Sequence, residues 1–170
     1  MDEMTLNELN VLPPGAARDE FARCCGAMNW VEKMLARRPF ADKASALAAA
    51  DAAWAETGEK DWLEAFAHHP RIGGKDALRA KFAATKTWAQ GEQSGAAGAD
   101  EATLDALEKG NANYEARFGF IFIVCATGKS AAEMLALLNA RLPNDRAAEL
   151  KIAAAEQNKI TKIRLEKLLS

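Results

Sequence analysis

The chain is poor in the residues that build sheets. Tyrosine occurs once in 170 residues and aromatic residues make up 7%. Strands favour β-branched and aromatic side chains, so a sheet has little to be made from. Cysteine is scarce as well. Cys24, Cys25 and Cys125 are an odd set, and neighbouring cysteines do not ordinarily bridge each other, so a disulfide scaffold is excluded and reduced thiols in a cytoplasm are expected. The two histidines, His68 and His69, are adjacent. Their side chains leave a helix about 100° apart, so they do not chelate, and no cysteine cluster stands beside them; no metal is expected. No charge of one sign dominates: the net charge is −2, which gives no footprint for nucleic acid or an anionic membrane. The longest apolar run, Phe118 to Ala126, is about half the length of a membrane-spanning helix. The acidic start Met1-Asp2-Glu3-Met4 is not a secretory leader, and Leu168-Leu169-Ser170 is not a peroxisomal address. Phosphate loops, Gly-x-Gly-x-x-Gly and Gly-x-Ser-x-Gly are all missing, so nucleotide binding and a hydrolase elbow have no support.

Alanine is abundant instead, with 38 copies. It is the best helix former, and the expected fold is an all-α, single-domain bundle spanning 1–170, of about seven to nine helices without significant sheet. Thr5-Leu6-Asn7-Glu8 and Ser130-Ala131-Ala132-Glu133 are capping boxes. Helices are expected over 15–25, over 30–37 behind an Asn29 cap, and over 43–56, 59–68, 75–84 and 100–118. Two more run from the second capping box to about Leu142 and from Asn144 to the end. Leu104, Leu107, Asn111, Tyr114 and Phe118 form one stripe, and Ala153, Ile160 and Ile163 another. Phe120 to Val124 reads as a buried extended segment without a partner strand.

Three places could carry chemistry. His69 follows Trp62 by seven residues and Phe66 by three, which turns it toward the core at a helix C-terminus. The macrodipole there favours imidazolium and burial opposes it, the condition of a proton carrier near neutral pH. The competing reading is a core histidine satisfied by a backbone carbonyl. Glu92-Gln93 stands in the glycine-rich stretch 91–98, where backbone can approach a ligand, or else simply forms a solvated loop. Arg164 and Gln157 fall on or beside the apolar stripe of the last helix. A guanidinium there needs a structural carboxylate or a bound anion. Arg117, beside Glu115, and Cys24-Cys25 with Trp30 read as structural and packing residues.

Several motifs stand in a fixed order: His69-Pro70-Arg71-Ile72-Gly73, Gly91-Glu92-Gln93, Asn113-Tyr114-Glu115-Ala116-Arg117-Phe118-Gly119-Phe120 and Lys162-Ile163-Arg164-Leu165. With Trp30, Arg38-Pro39-Phe40 and Arg141-Leu142-Pro143-Asn144-Asp145, the set covers almost the whole chain and resembles the OHCU decarboxylase family. OHCU is 2-oxo-4-hydroxy-4-carboxy-5-ureidoimidazoline, and its decarboxylation is the third step from urate to allantoin. The resemblance implies a single all-α domain, often a homodimer, that works without metal or organic cofactor. It assigns catalysis to His69, Glu92 and Arg164. Substrate contacts fall to Pro70, Ala89, Gln90, Gly91, Glu92, Gln93 and Arg164, and to the backbone of Phe122, Ile123, Val124, Cys125 and Ala126. Two departures stand out. Ala89 replaces the family's serine and loses one hydroxyl contact, and Ile121 replaces a proline in Phe-Gly-Phe-Pro-Phe. The other readings of the chain are a non-catalytic helical interaction module, or a cofactor-free lyase or isomerase for another ureido or imidazoline compound.

Overall fold

Capping chemistry sets most of the helix starts. In a computed structural model, which describes residues 4–69, 77, 78, 80 and 101–169, the Thr5 hydroxyl accepts from Glu8 N–H and the Glu8 carboxylate accepts from Thr5 N–H. This box opens α1 (Leu6–Val11). The same reciprocal pair at Ser130 and Glu133 opens α7 (Ala131–Arg141). Asp42 caps α4 (Lys43–Ala55) through Ser45 N–H, and the bonds it accepts hold its carboxyl below the usual range. Pro14 begins α2 (Pro14–Cys24), where its missing N–H costs nothing. The remaining elements are α3 (Met28–Arg37), α5 (Glu59–Ala67), α6 (Glu101–Phe118) and α8 (Arg146–Leu168). Among the described residues there are eight such helices and no strand, as expected of an all-α chain. Ala77, Leu78 and Ala80 are helical; the rest of the expected 75–84 helix lies outside the described residues. Residues 121–126 are irregular. No described helix is long and apolar enough to cross a membrane.

Two helix starts differ from the sequence expectation. Asn29 does not cap α3; its amide donates to Asp61 at 2.7 Å. The helix begins at Met28, whose N–H is met by the Glu64 carboxylate at 3.2 Å, so a remote side chain does the capping. Nor does Asn144 open α8. Asp145 accepts from Ala148 N–H at 2.8 Å, placing a carboxylate at the positive helix end, while Asn144 donates to Glu149.

The chain divides into two compact units. One comprises residues 1–69, 123–125 and 152–170. Its core gathers Leu9, Phe21, Trp30, Met34, Phe66, Leu165 and Leu168, all buried. Phe21 meets Trp30 edge-on at 6.2 Å, and the indole N–H groups of Trp30 and Trp54 donate to the carbonyls of Ala50 and Ala154. Arg38 closes the end of α1 through the Leu9 and Leu12 carbonyls.

The other unit holds residues 70–122 and 126–151. There α6 packs on α7. The buried stripe of α6 is Leu104, Leu107, Gly110, Tyr114 and Phe118, so Gly110 takes the place expected of Asn111. The reason is distance: a Cβ on Gly110 would stand 2.4 Å from Leu138 Cδ2. Tyr114, Glu149 and Arg141 form a buried network: the Tyr114 hydroxyl and the Arg141 guanidinium both donate to Glu149 Oε2. Burial and the carboxylate push the Tyr114 hydroxyl above its ordinary range, so it remains a donor. The Arg141 guanidinium also lies 4.6 Å over the Phe122 ring.

Candidate active site

His69 owes its place to α5. The helix is capped by Gly58, whose N–H donates to Asp61, and it ends at Ala67, with His69 N–H donating to the Phe66 carbonyl at 3.2 Å. Phe66 is buried, His69 half-buried and His68 exposed, as the spacing from Trp62 implies. Gly26 is needed beneath this turn, because a Cβ there would come within 2.3 Å of the His68 ring.

The imidazole meets the last helix. His69 Nε2 lies 2.5 Å from Gln157 Oε1, and Gln157 Nε2 donates to Thr161 Oγ1 at 3.0 Å. The buried positions of α8 in this unit are Ala153, Ala154, Gln157, Thr161, Leu165 and Leu168. Ile160 and Ile163, expected on the buried stripe, sit at its margin. The stripe follows an i, i+4 row from Ala153 through Gln157 and Thr161 to Leu165, which apolar residues alone do not reveal.

Arg164 lies seven residues beyond Gln157 and donates to the Cys24 carbonyl at 3.4 Å, a long bond. Among the described residues it forms no ion pair, so no structural carboxylate holds it there. Its charge is felt nearby. Burial is the main force holding the His69 pKa below the ordinary histidine value; the Gln157 bond opposes it, and the Arg164 and His68 charges add to it. His69 is therefore neutral near pH 7. Burial pushes the Cys24 thiol up to about 12, against the pull of Arg164. It raises Cys25 too, against bonds from the Ala27 backbone and the Thr161 hydroxyl. Both thiols stay protonated and unreactive, in keeping with a packing role.

Ile123, Val124 and Cys125 belong to the same unit as His69 and Arg164; Phe122 and Ala126 belong to the other. The Cys125 N–H donates to Glu156 Oε1 at 2.9 Å, which fixes the backbone of this segment to α8. Pro70, Ala89, Gln90, Gly91, Glu92 and Gln93 lie outside the described residues. Among the described residues His69 is thus held against α8 by Gln157, which Thr161 holds in turn, and the charge of Arg164 on the same helix is felt at the ring. The sequence signalled Gln157 only by its position beside an apolar stripe, and Thr161 not at all.

A family model described as OHCU decarboxylase matches residues 10–166. The uric acid degradation bifunctional protein TTL of Arabidopsis thaliana is 39% identical over 155 residues, 89% of this chain and 47% of that protein. A 2-oxo-4-hydroxy-4-carboxy-5-ureidoimidazoline decarboxylase of Amia calva is 34% identical over 101 residues, 59% of this chain and 57% of that one. The chain therefore spans about half the length of these curated relatives. Among solved structures, a crystal structure of OHCU decarboxylase in the presence of (S)-allantoin has a TM-score of 0.72 and 36% identity. That alignment covers 89% of this chain and 97% of the other. A structure of (S)-allantoin synthase, with TM-score 0.68 and 20% identity, shares the fold. Since the family match covers residues 10–166, well over half of the sequence, this chain belongs to the OHCU decarboxylase family.

Proposed function

We propose that residues 1–170 act as one cofactor-independent carboxy-lyase domain that converts OHCU to (S)-allantoin on the route from urate. The observation that carries the reading is a half-buried imidazole whose Nε2 lies 2.5 Å from Gln157 Oε1 on α8, the helix that also carries Arg164, whose charge opposes an imidazolium there. A relative's crystal obtained with (S)-allantoin supports the identity of the product.

The substrate supplies its own electron sink. Its quaternary carbon carries a carboxylate and a hydroxyl and adjoins a ring C=N. When the bond to the carboxylate breaks, its electron pair flows toward the ring nitrogen, which takes one proton from solvent. This leaves an enol and CO₂. The enol hydroxyl then gives its proton to His69 as the C=O forms, and His69 delivers a proton to one face of the neighbouring carbon. A neutral ring suits this order, because it starts as an acceptor. Glu92 orients His69 and holds its transient charge. Arg164 and backbone N–H groups clamp the carbonyl or ureido oxygens, with the loop 89–93, Pro70 and the 122–126 backbone shaping the rest. The expected partners are the small substrate and a second copy of the chain. The expected compartment is cytoplasmic.

The test is circular dichroism of the product formed after urate oxidation and hydroxyisourate hydrolysis. Addition of the chain should speed the appearance of one allantoin enantiomer. His69→Asn should lower turnover by at least about 10²-fold, the low end for general acid–base catalysis. A product trace unchanged by the wild-type chain would overturn the proposal.

A further inference from the structure

Gln157 and Thr161 are each 1% exposed, on a helix face that is otherwise Ala153, Ala154, Leu165 and Leu168. Apolar side chains would fill such a face at no cost, whereas a buried carboxamide and hydroxyl must find partners. Their partners run in one direction. Gln157 Nε2 donates to Thr161 Oγ1, and Gln157 Oε1 faces His69 Nε2. With the amide nitrogen committed to Thr161, only the oxygen is left for the histidine. An amide oxygen is purely an acceptor, so the ring nitrogen opposite must carry hydrogen.

We propose that Gln157, locked by Thr161, is a positioning residue that holds His69 in its neutral Nε2–H tautomer, so that Nδ1 takes up and releases the catalytic proton. Its part in turnover rests on the decarboxylase reading; the tautomer is a property of the protein alone. The charged and titratable groups around the ring agree with it. Arg164 on α8 and His68 on the same turn both oppose an imidazolium. Cys24, the last residue of α2, and Cys25, which follows it, remain protonated, and Glu64 on α5 is felt at Cys25. The neutral ring therefore has a single lone pair, on Nδ1, and Gln157 covers the other nitrogen.

With only two histidines in the chain, ¹⁵N-histidine NMR reads each ring separately, and His69→Asn assigns the signals. Above its titration midpoint, wild-type His69 should show a protonated Nε2 and a bare Nδ1. Thr161→Val, which keeps the shape and loses the hydroxyl, should mix the tautomers, and Thr161→Ser should restore the single form. Gln157→Leu should lower kcat roughly tenfold or more with little change in KM. Gln157→Glu should move the acid limb of the kcat profile to higher pH, because a carboxylate holds the ring charged. A wild-type ring protonated on Nδ1 would overturn the proposal, as would an unchanged tautomer in both Thr161→Val and Gln157→Leu. An Nε2-protonated chain that leaves OHCU untouched would uphold the tautomer and remove the decarboxylase reading.

Discussion

At the scale of the residue, His69 couples proton binding to folding. Its folded pKa lies below the unfolded value of about 6.5, so the unfolded chain binds a proton more readily. The stability it contributes is present above that value and is lost as pH falls through the folded one. Urea unfolding in that acidic window should therefore weaken more in the wild type than in His69→Asn, once carboxylate titration common to both is subtracted. Arg164 offers a second prediction. A lysine keeps the charge but not the planar fork, so Arg164→Lys should raise KM roughly tenfold and lower kcat less. Steady-state kinetics at fixed pH separates the two. The sequence disclosed His69 through its spacing from Trp62 and Phe66, and Arg164 through its place near an apolar stripe. It could not disclose that Gln157, 88 positions away, is the histidine's partner, because no local pattern encodes a contact across such a separation.

At the scale of the element, helix boundaries were legible where a start signal is local and obscure where it is borrowed. Both Thr5 and Ser130 boxes satisfy their own first turns, and both were readable as four-residue patterns. The start of α3 depends on Glu64, which no inspection of residues 25–30 could find. Gly110 makes the same point for packing. Within a helix, glycine to alanine ordinarily gains about 1 kcal/mol from propensity. Here the added methyl would collide with Leu138, which is fully buried. Gly110→Ala should instead destabilise by about 1–3 kcal/mol, as overpacking does, and the urea midpoint should fall. Combining it with Leu138→Ala should recover part of the loss, which a double-mutant cycle would measure.

At the scale of the whole molecule, each unit keeps a buried polar cluster drawn from distant stretches of chain: His69 with Gln157 and Thr161 in one, Tyr114 with Arg141 and Glu149 in the other. The ordered motifs marked Tyr114 and Arg141 as special but not why. The geometry supplies the reason, since Glu149 is fully buried and these two residues and Asn144 are its donors. Removing one partner of a buried pair is far costlier than never having built it, so Glu149→Gln should cost about 3–5 kcal/mol. Differential scanning calorimetry should show the loss while the ring spectrum of His69 stays unchanged. The turn that carries the imidazole leans on bare backbone at Gly26. Position 26 thus works as a distance gauge for the chemistry. Under the proposed mechanism a methyl there, as in Gly26→Ala, would stand 2.3 Å from the His68 ring, so it should disturb the turn that precedes His69 and lower turnover, as steady-state kinetics would show.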